Sequence, residues 1–194
     1  VLAHVVGLAA DLNAQRFPAA DDLGGAEWGA AQVALRRDAT VHDILAEWDR
    51  EAPAFEDGLR MFGYEEGSHF VADLHAHHQD VCGALGMARD DDPLTVTVAL
   101  DHYLGFLHQL VSGAAWGVLA VATGGEVRVL GTEAGSCRAQ VAGPAFEVLR
   151  AFSARRSVEQ IRRLRWRGDV DSLLALLESL FSEAYSIPSA DVIE

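Results

Sequence analysis

The chain predicts a mainly helical protein: an antiparallel four-helix-type bundle over residues 1–112, followed by a small α+β domain over 113–194. Three observations carry this. Apolar residues recur at spacings of three, four and seven through most of the first 112 positions. Capping and stop signals divide that stretch into helix-sized pieces. After Gly113 the pattern changes to short β-branched runs punctuated by Gly-Gly.

Leu2, Val5, Leu8 and Leu12 place a helix over residues 1–14, and the polar stretch through Phe17-Pro18 and Asp21-Asp22-Leu23-Gly24-Gly25 ends it. The spacing is already running at Val1, so a first bundle helix is expected upstream of this sequence. Residues 26–36 form a short helix carrying Trp28, Val33 and Leu35. Thr40-x-x-Asp43 caps a longer one with Val41, Ile44, Leu45, Trp48, Phe55, Leu59 and Phe62 on its apolar stripe, which Pro53 is expected to bend or split. Ser68 is expected to cap a helix from His69 to Leu85 that Gly86 ends. Asp90-Asp91-Asp92-Pro93 opens the next helix, to about Val111, with acidic charge and proline where the helix dipole and the first turn favour them.

In the second half, Val118–Ala122, Gly124-Gly125 and Val127–Leu130 read as a hairpin, and Cys137–Ala142 as a third strand. Gly143-Pro144 starts a helix through Ala154, Ser157 caps a short one, and Asp169–Tyr185 is an apolar final helix with Leu173, Leu174, Leu176, Leu177, Leu180 and Phe181.

Charge narrows the function. A net charge of −14 repels phosphate backbones and anionic membrane surfaces, so neither nucleic acid nor membrane is an expected partner. Without a long apolar run or a basic, cleavable leader, the expected location is cytoplasmic. Two cysteines, Cys82 and Cys137, fit reduced thiols better than a disulfide framework. All 15 basic residues are Arg, the mark of a GC-rich bacterial coding bias.

The chemistry concentrates at Asp73-Leu74-His75-Ala76-His77-His78-Gln79-Asp80. At 100° per residue Asp73, His77 and Asp80 share one helical face, which is half of a metal site; His4, in an apolar helix, is the candidate third ligand. A lone His on an apolar face is more often a hydrogen-bonded core residue, and Asp–His pairs four apart are common on solvated helices. Four of the eight His within residues 69–78 weigh the other way. Helical phase turns His75 and His78 outward or onto a rim and Cys82 away from the stripe, while His42 and His102 read as helix-surface residues. Asp80 is a candidate to orient a ligand His from behind or to bind a backbone group.

His4, Trp28 with Gln32-Val33-x-x-Arg36, the Trp48 helix, the acid–His–Asp pattern of Asp73, His77 and Asp80, and Ala84-Leu85-Gly86 resemble the DinB-like bundle of the mycothiol-dependent maleylpyruvate isomerase family of actinobacteria. Val141-Ala142-Gly143-Pro144-Ala145, Ala154-Arg155-Arg156-Ser157 and Trp166-x-Gly168-Asp169 resemble that family's smaller C-terminal domain. The resemblance implies a divalent metal, usually zinc, on His4, Asp73 and His77. It also implies mycothiol or a similar thiol as cosubstrate for a small-molecule electrophile. The family has Glu where this chain has the shorter Asp73, and often Gly where it has Ala154. Arg155 and Arg156 are candidates to hold a substrate carboxylate or cofactor through paired N–H donors, against the plainer reading that they lie on the domain surface. The competing classes are a ligand- or partner-binding bundle that has lost its metal, and a metal hydrolase that needs no thiol. A homodimer through the bundle face left open by an upstream helix is a further expectation.

Overall fold

The structure, a computed structural model, describes residues 1–19, 26–180 and 187–193. It is mainly helical with one four-stranded sheet. The chain divides into two compact units, Val1–Phe70 and Val71–Glu194. The helix Pro93–Gly113 packs on the helix Ala145–Phe152 and on the sheet, so it belongs with the second unit.

The first unit holds α1 (Leu2–Asn13), α2 (Ala26–Leu35) and α3 (Val41–Leu85) as far as Phe70. Helices α1 and α2 pack closely because Gly7 has no Cβ; one added there would lie 2.5 Å from the Cβ of Gln32. The apolar face expected of α2 is not what it buries. Val33 and Leu35 are exposed, and Gln32 is buried because its amide completes a polar network described below. Asn13 donates to the carbonyl and carboxylate of Glu51, and Arg36 forks onto Glu47 at 2.9 and 2.5 Å, so both short helices are tied to α3. Thr40 and Asp43 exchange the expected capping bonds at the start of α3.

Pro53 does not split α3. It lies on the exposed side, where the carbonyl it deprives of a partner can be hydrated, and the helix continues past it. The break falls instead at Gly63, whose φ of 74° is open to glycine at little cost. Ser68 lies within the helical run rather than at a cap, its Oγ donating back to the Glu65 carbonyl at 2.8 Å.

The second unit contains the end of α3, α4 (Pro93–Gly113), β1 (Gly117–Thr123), β2 (Glu126–Gly131), β3 (Cys137–Ala142), α5 (Ala145–Phe152), α6 (Val158–Arg162), β4 (Arg165–Gly168) and α7 (Val170–Leu180). Asp92 caps α4 by accepting from the Thr95 N–H at 2.8 Å, and Ser157 with Gln160 forms a full capping box on α6. The sheet order is β2-β1-β3-β4, with β1 antiparallel to β2, parallel to β3, and β3 antiparallel to β4. Gly124 and Gly125, both at positive φ, make the tight hairpin turn. One sheet face buries Leu119, Val121, Leu130, Ala139 and Val141 against Leu104, Leu107 and Val111 of α4, Leu149 of α5 and Leu173 of α7. The final-helix positions Phe181 to Tyr185 lie outside the described residues. Among the described residues no helix is long and apolar enough to cross a membrane.

Candidate metal centre

Helical spacing brings Asp73, His77 and Asp80 onto one half-buried face of α3 in the second unit. His77 Nε2 stands 3.4 Å from Asp73 Oδ1, and His77 Nδ1 stands 3.6 Å from Asp80 Oδ2. The first distance is long for a charge-assisted hydrogen bond, which closes to about 2.7–2.9 Å. It matches the roughly 3.4 Å separating two ligand atoms that each sit about 2.1 Å from one tetrahedral ion.

Asp80 is held on both oxygens. Arg150 Nη2 donates to Oδ1 at 3.0 Å and Arg155 Nη2 to Oδ2 at 3.4 Å. Burial pushes the Asp80 carboxyl up, but His77, Arg155 and Arg150 outweigh it and hold the group well below the usual carboxylate range. Burial likewise disfavours a charged His77, and the Asp73 and Asp80 carboxylates overrule it, raising its pKa to about 9. The face is therefore an imidazole between two acids, with two guanidiniums behind the second.

His4, on α1 of the first unit, is partly buried over Gly29, where an added Cβ would come within 3.4 Å of its Nδ1. Its Nδ1 is 2.8 Å from Gln32 Oε1. Gln32 Nε2 donates to Asp11 Oδ2 at 3.0 Å, and Asp11 pairs with Arg16 at 2.7 Å. Because Gln32 spends its amide N–H on Asp11, its oxygen is left to accept from His4. That puts a proton on Nδ1 and makes Nε2 the nitrogen a metal would use.

The arginine pair diverges. Arg155 reaches Asp80, whereas Arg156 is buried, gives Nε to Glu147 at 2.9 Å and Nη1 to the Arg155 carbonyl, and lies over the Phe146 ring. The two do not form one fork, and neither is a plain surface residue.

His75 corrects the expectation of an outward imidazole. It is 4% exposed, edge-on to Phe146, with Nε2 3.3 Å from the Asp90 carbonyl, and burial lowers its pKa. Helical phase fixes His75 only relative to the Asp73 stripe, and α3 buries a second face here, with Gln79 and Cys82 also covered. His78 is exposed beside Asp90, and His42 is exposed.

Sequence reading missed Arg150. Its partner lies 70 positions away, and the available signal was a single Arg inside the apolar run Phe146–Phe152. Nor does local sequence mark Gln32, whose partners His4 and Asp11 lie 28 and 21 positions away. No family model, curated protein or solved structure matches this chain.

Proposed function

We propose that this chain is a cytoplasmic, metal-dependent enzyme of the mycothiol- or low-molecular-weight-thiol-dependent isomerase or S-transferase type, with zinc held by His4, Asp73 and His77 in a DinB-like bundle. Each of the three offers one ligand atom, an imidazole nitrogen from either His and a carboxylate oxygen from Asp73. Two nitrogens and one oxygen suit zinc and leave a position for substrate. The observation that carries the reading is the 3.4 Å spacing of His77 Nε2 and Asp73 Oδ1, with Asp80 on the far nitrogen of the same ring.

When bound, zinc in such a set lowers the pKa of a coordinated thiol or water and polarises a carbonyl. The thiol comes from the cosubstrate, since Cys82 is buried on another face of α3. Arg155, partly exposed beside Asp80, is the residue placed to meet a substrate carboxylate; Arg156 serves packing, with Nε on Glu147 and Nη1 on the Arg155 carbonyl. Asp80 faces the other ring nitrogen, Nδ1, at 3.6 Å, and so sets the ring with Nε2 toward Asp73, from which a bound metal would displace the proton.

A second reading draws on the same face. An imidazolium flanked by two carboxylates has its charge balanced without any ion, and Asp73 is one methylene shorter than the Glu of the family it resembles. On that reading the chain is a binding bundle that has lost its metal. The test is thiol-dependent consumption of maleylpyruvate by zinc-loaded protein, alongside His77→Ala. Turnover that needs both thiol and His77 supports the enzyme. Consumption without thiol points to a hydrolase, and no consumption by a protein that takes up no zinc points to the binding bundle.

A further inference from the structure

We propose that Arg150 is a positioning residue for this face: by clamping one oxygen of Asp80 it holds the other toward His77 Nδ1, and so keeps His77 Nε2 turned toward Asp73. The inference rests on the metal reading above and adds to it a residue on a different element.

Arg150 belongs to α5 and is among the largest fully buried side chains, at 1% exposure. A buried guanidinium is costly unless a carboxylate meets it, and an apolar side chain of similar volume packs at least as well in such a position. The carboxylate that meets it is Asp80, with Nη2 3.0 Å from Oδ1; Nη1 lies 3.4 Å from the Ala76 carbonyl, on the same stretch of α3. The two nitrogens of one planar fork thus grip a side chain and the backbone one turn before it. That fixes the rotamer of Asp80 as well as its charge.

The second carboxylate oxygen is consequently directed at Arg155 and at His77 Nδ1, at 3.4 and 3.6 Å. A lone Asp on a helix samples several rotamers; here its setting is referenced to the sheet core, because the neighbours of Arg150 on α5, Phe146, Leu149 and Phe152, are packed there. Carboxylates that back a ligand His are worth about 10–100-fold in metal affinity. Arg150 acts one step further out, through Asp80.

The test uses zinc itself, measured by competition with a chromophoric chelator on the full chain. Arg150→Met and Asp80→Asn are each expected to weaken zinc binding by about 10–100-fold. The double variant is expected to be no weaker than Asp80→Asn alone by more than about twofold, because both changes cut one path. Arg150→Lys keeps charge without the fork and recovers only part of the loss. Thermal unfolding of the same proteins in excess chelator reads the packing cost separately, and a purely structural Arg150 lowers that midpoint while leaving zinc affinity intact. Should Arg150→Met fail to fold, Arg150→Lys carries the comparison, with several-fold weaker zinc binding expected. Folded Arg150 variants that bind zinc as the wild type does, or losses that add in the double variant, overturn the positioning role alone. A wild-type chain that takes up no zinc overturns the metal reading and this inference with it.

Discussion

Replacing His77 by Gln removes a stabilisation that exists only while the ring carries its proton. In the folded chain the imidazole sits between Asp73 and Asp80 with a pKa of about 9, against an ordinary 6.5. A folded-state pKa above the unfolded one stabilises the native state fully below the lower value, and that stabilisation fades as pH rises through the upper one. From 6.5 to about 9 the difference is worth about 3 kcal/mol, and the side chain is only 16% exposed, so little of it is lost to solvent screening. Urea unfolding of metal-free wild type and His77→Gln, run in chelator from pH 6 to pH 10, reads this as the gap between the two curves. Apart from any constant offset from losing the ring, the gap is expected to be widest at pH 6, to fall to about half near pH 8, and to close above pH 9 to 10. A gap that stays constant across that range refutes the reasoning, because it means that the proton on His77 is not what binds the two acids together.

The same proton links metal uptake to pH: zinc must displace it, so calorimetric titration in buffers of different ionisation enthalpy is expected to show about one proton released, and affinity should rise about tenfold per pH unit below pH 9. Binding without proton release contradicts the protonated state of His77. Gln32→Leu strips His4 of its acceptor and Asp11 of a donor; it is expected to cost about 1–3 kcal/mol in urea unfolding and about 10–100-fold in zinc affinity. Unchanged affinity separates His4 from the metal. Gly117→Ala places a Cβ 2.0 Å from the Cys137 carbonyl oxygen at a φ of +139°. A loss of at least about 3 kcal/mol in thermal unfolding is expected, and a loss under about 1 kcal/mol contradicts the tight β1–β3 approach.

What the sequence discloses well here is local chemistry. Thr40 with Asp43, Asp92 before Pro93, Ser157 with Gln160, and Gly124-Gly125 each act within four residues of themselves, so their bonds form as their spacing predicts. Phase along one helix is equally local, and it brought Asp73, His77 and Asp80 to one face. What it hides is set by partners far along the chain. Arg150 reads as a flaw in an apolar run until Asp80 is placed beside it, and Gln32 as a polar residue on an apolar helix until His4 and Asp11 flank it. His75 was assigned outward because phase fixes a residue only relative to its own helix and says nothing about how many faces that helix buries. The strand β4 was missed because Arg165-Trp166-Arg167-Gly168 shows no apolar alternation; its one inward side chain is Trp166, which packs against the core and donates to the Ile161 carbonyl at 2.7 Å.

The most direct measurement of the central claim is metal content, by mass spectrometry, of protein purified with no metal added. The account predicts about one zinc per chain in the wild type and almost none in His4→Ala, Asp73→Ala or His77→Ala. A wild-type chain without metal, or a His4→Ala variant that retains it in full, contradicts it.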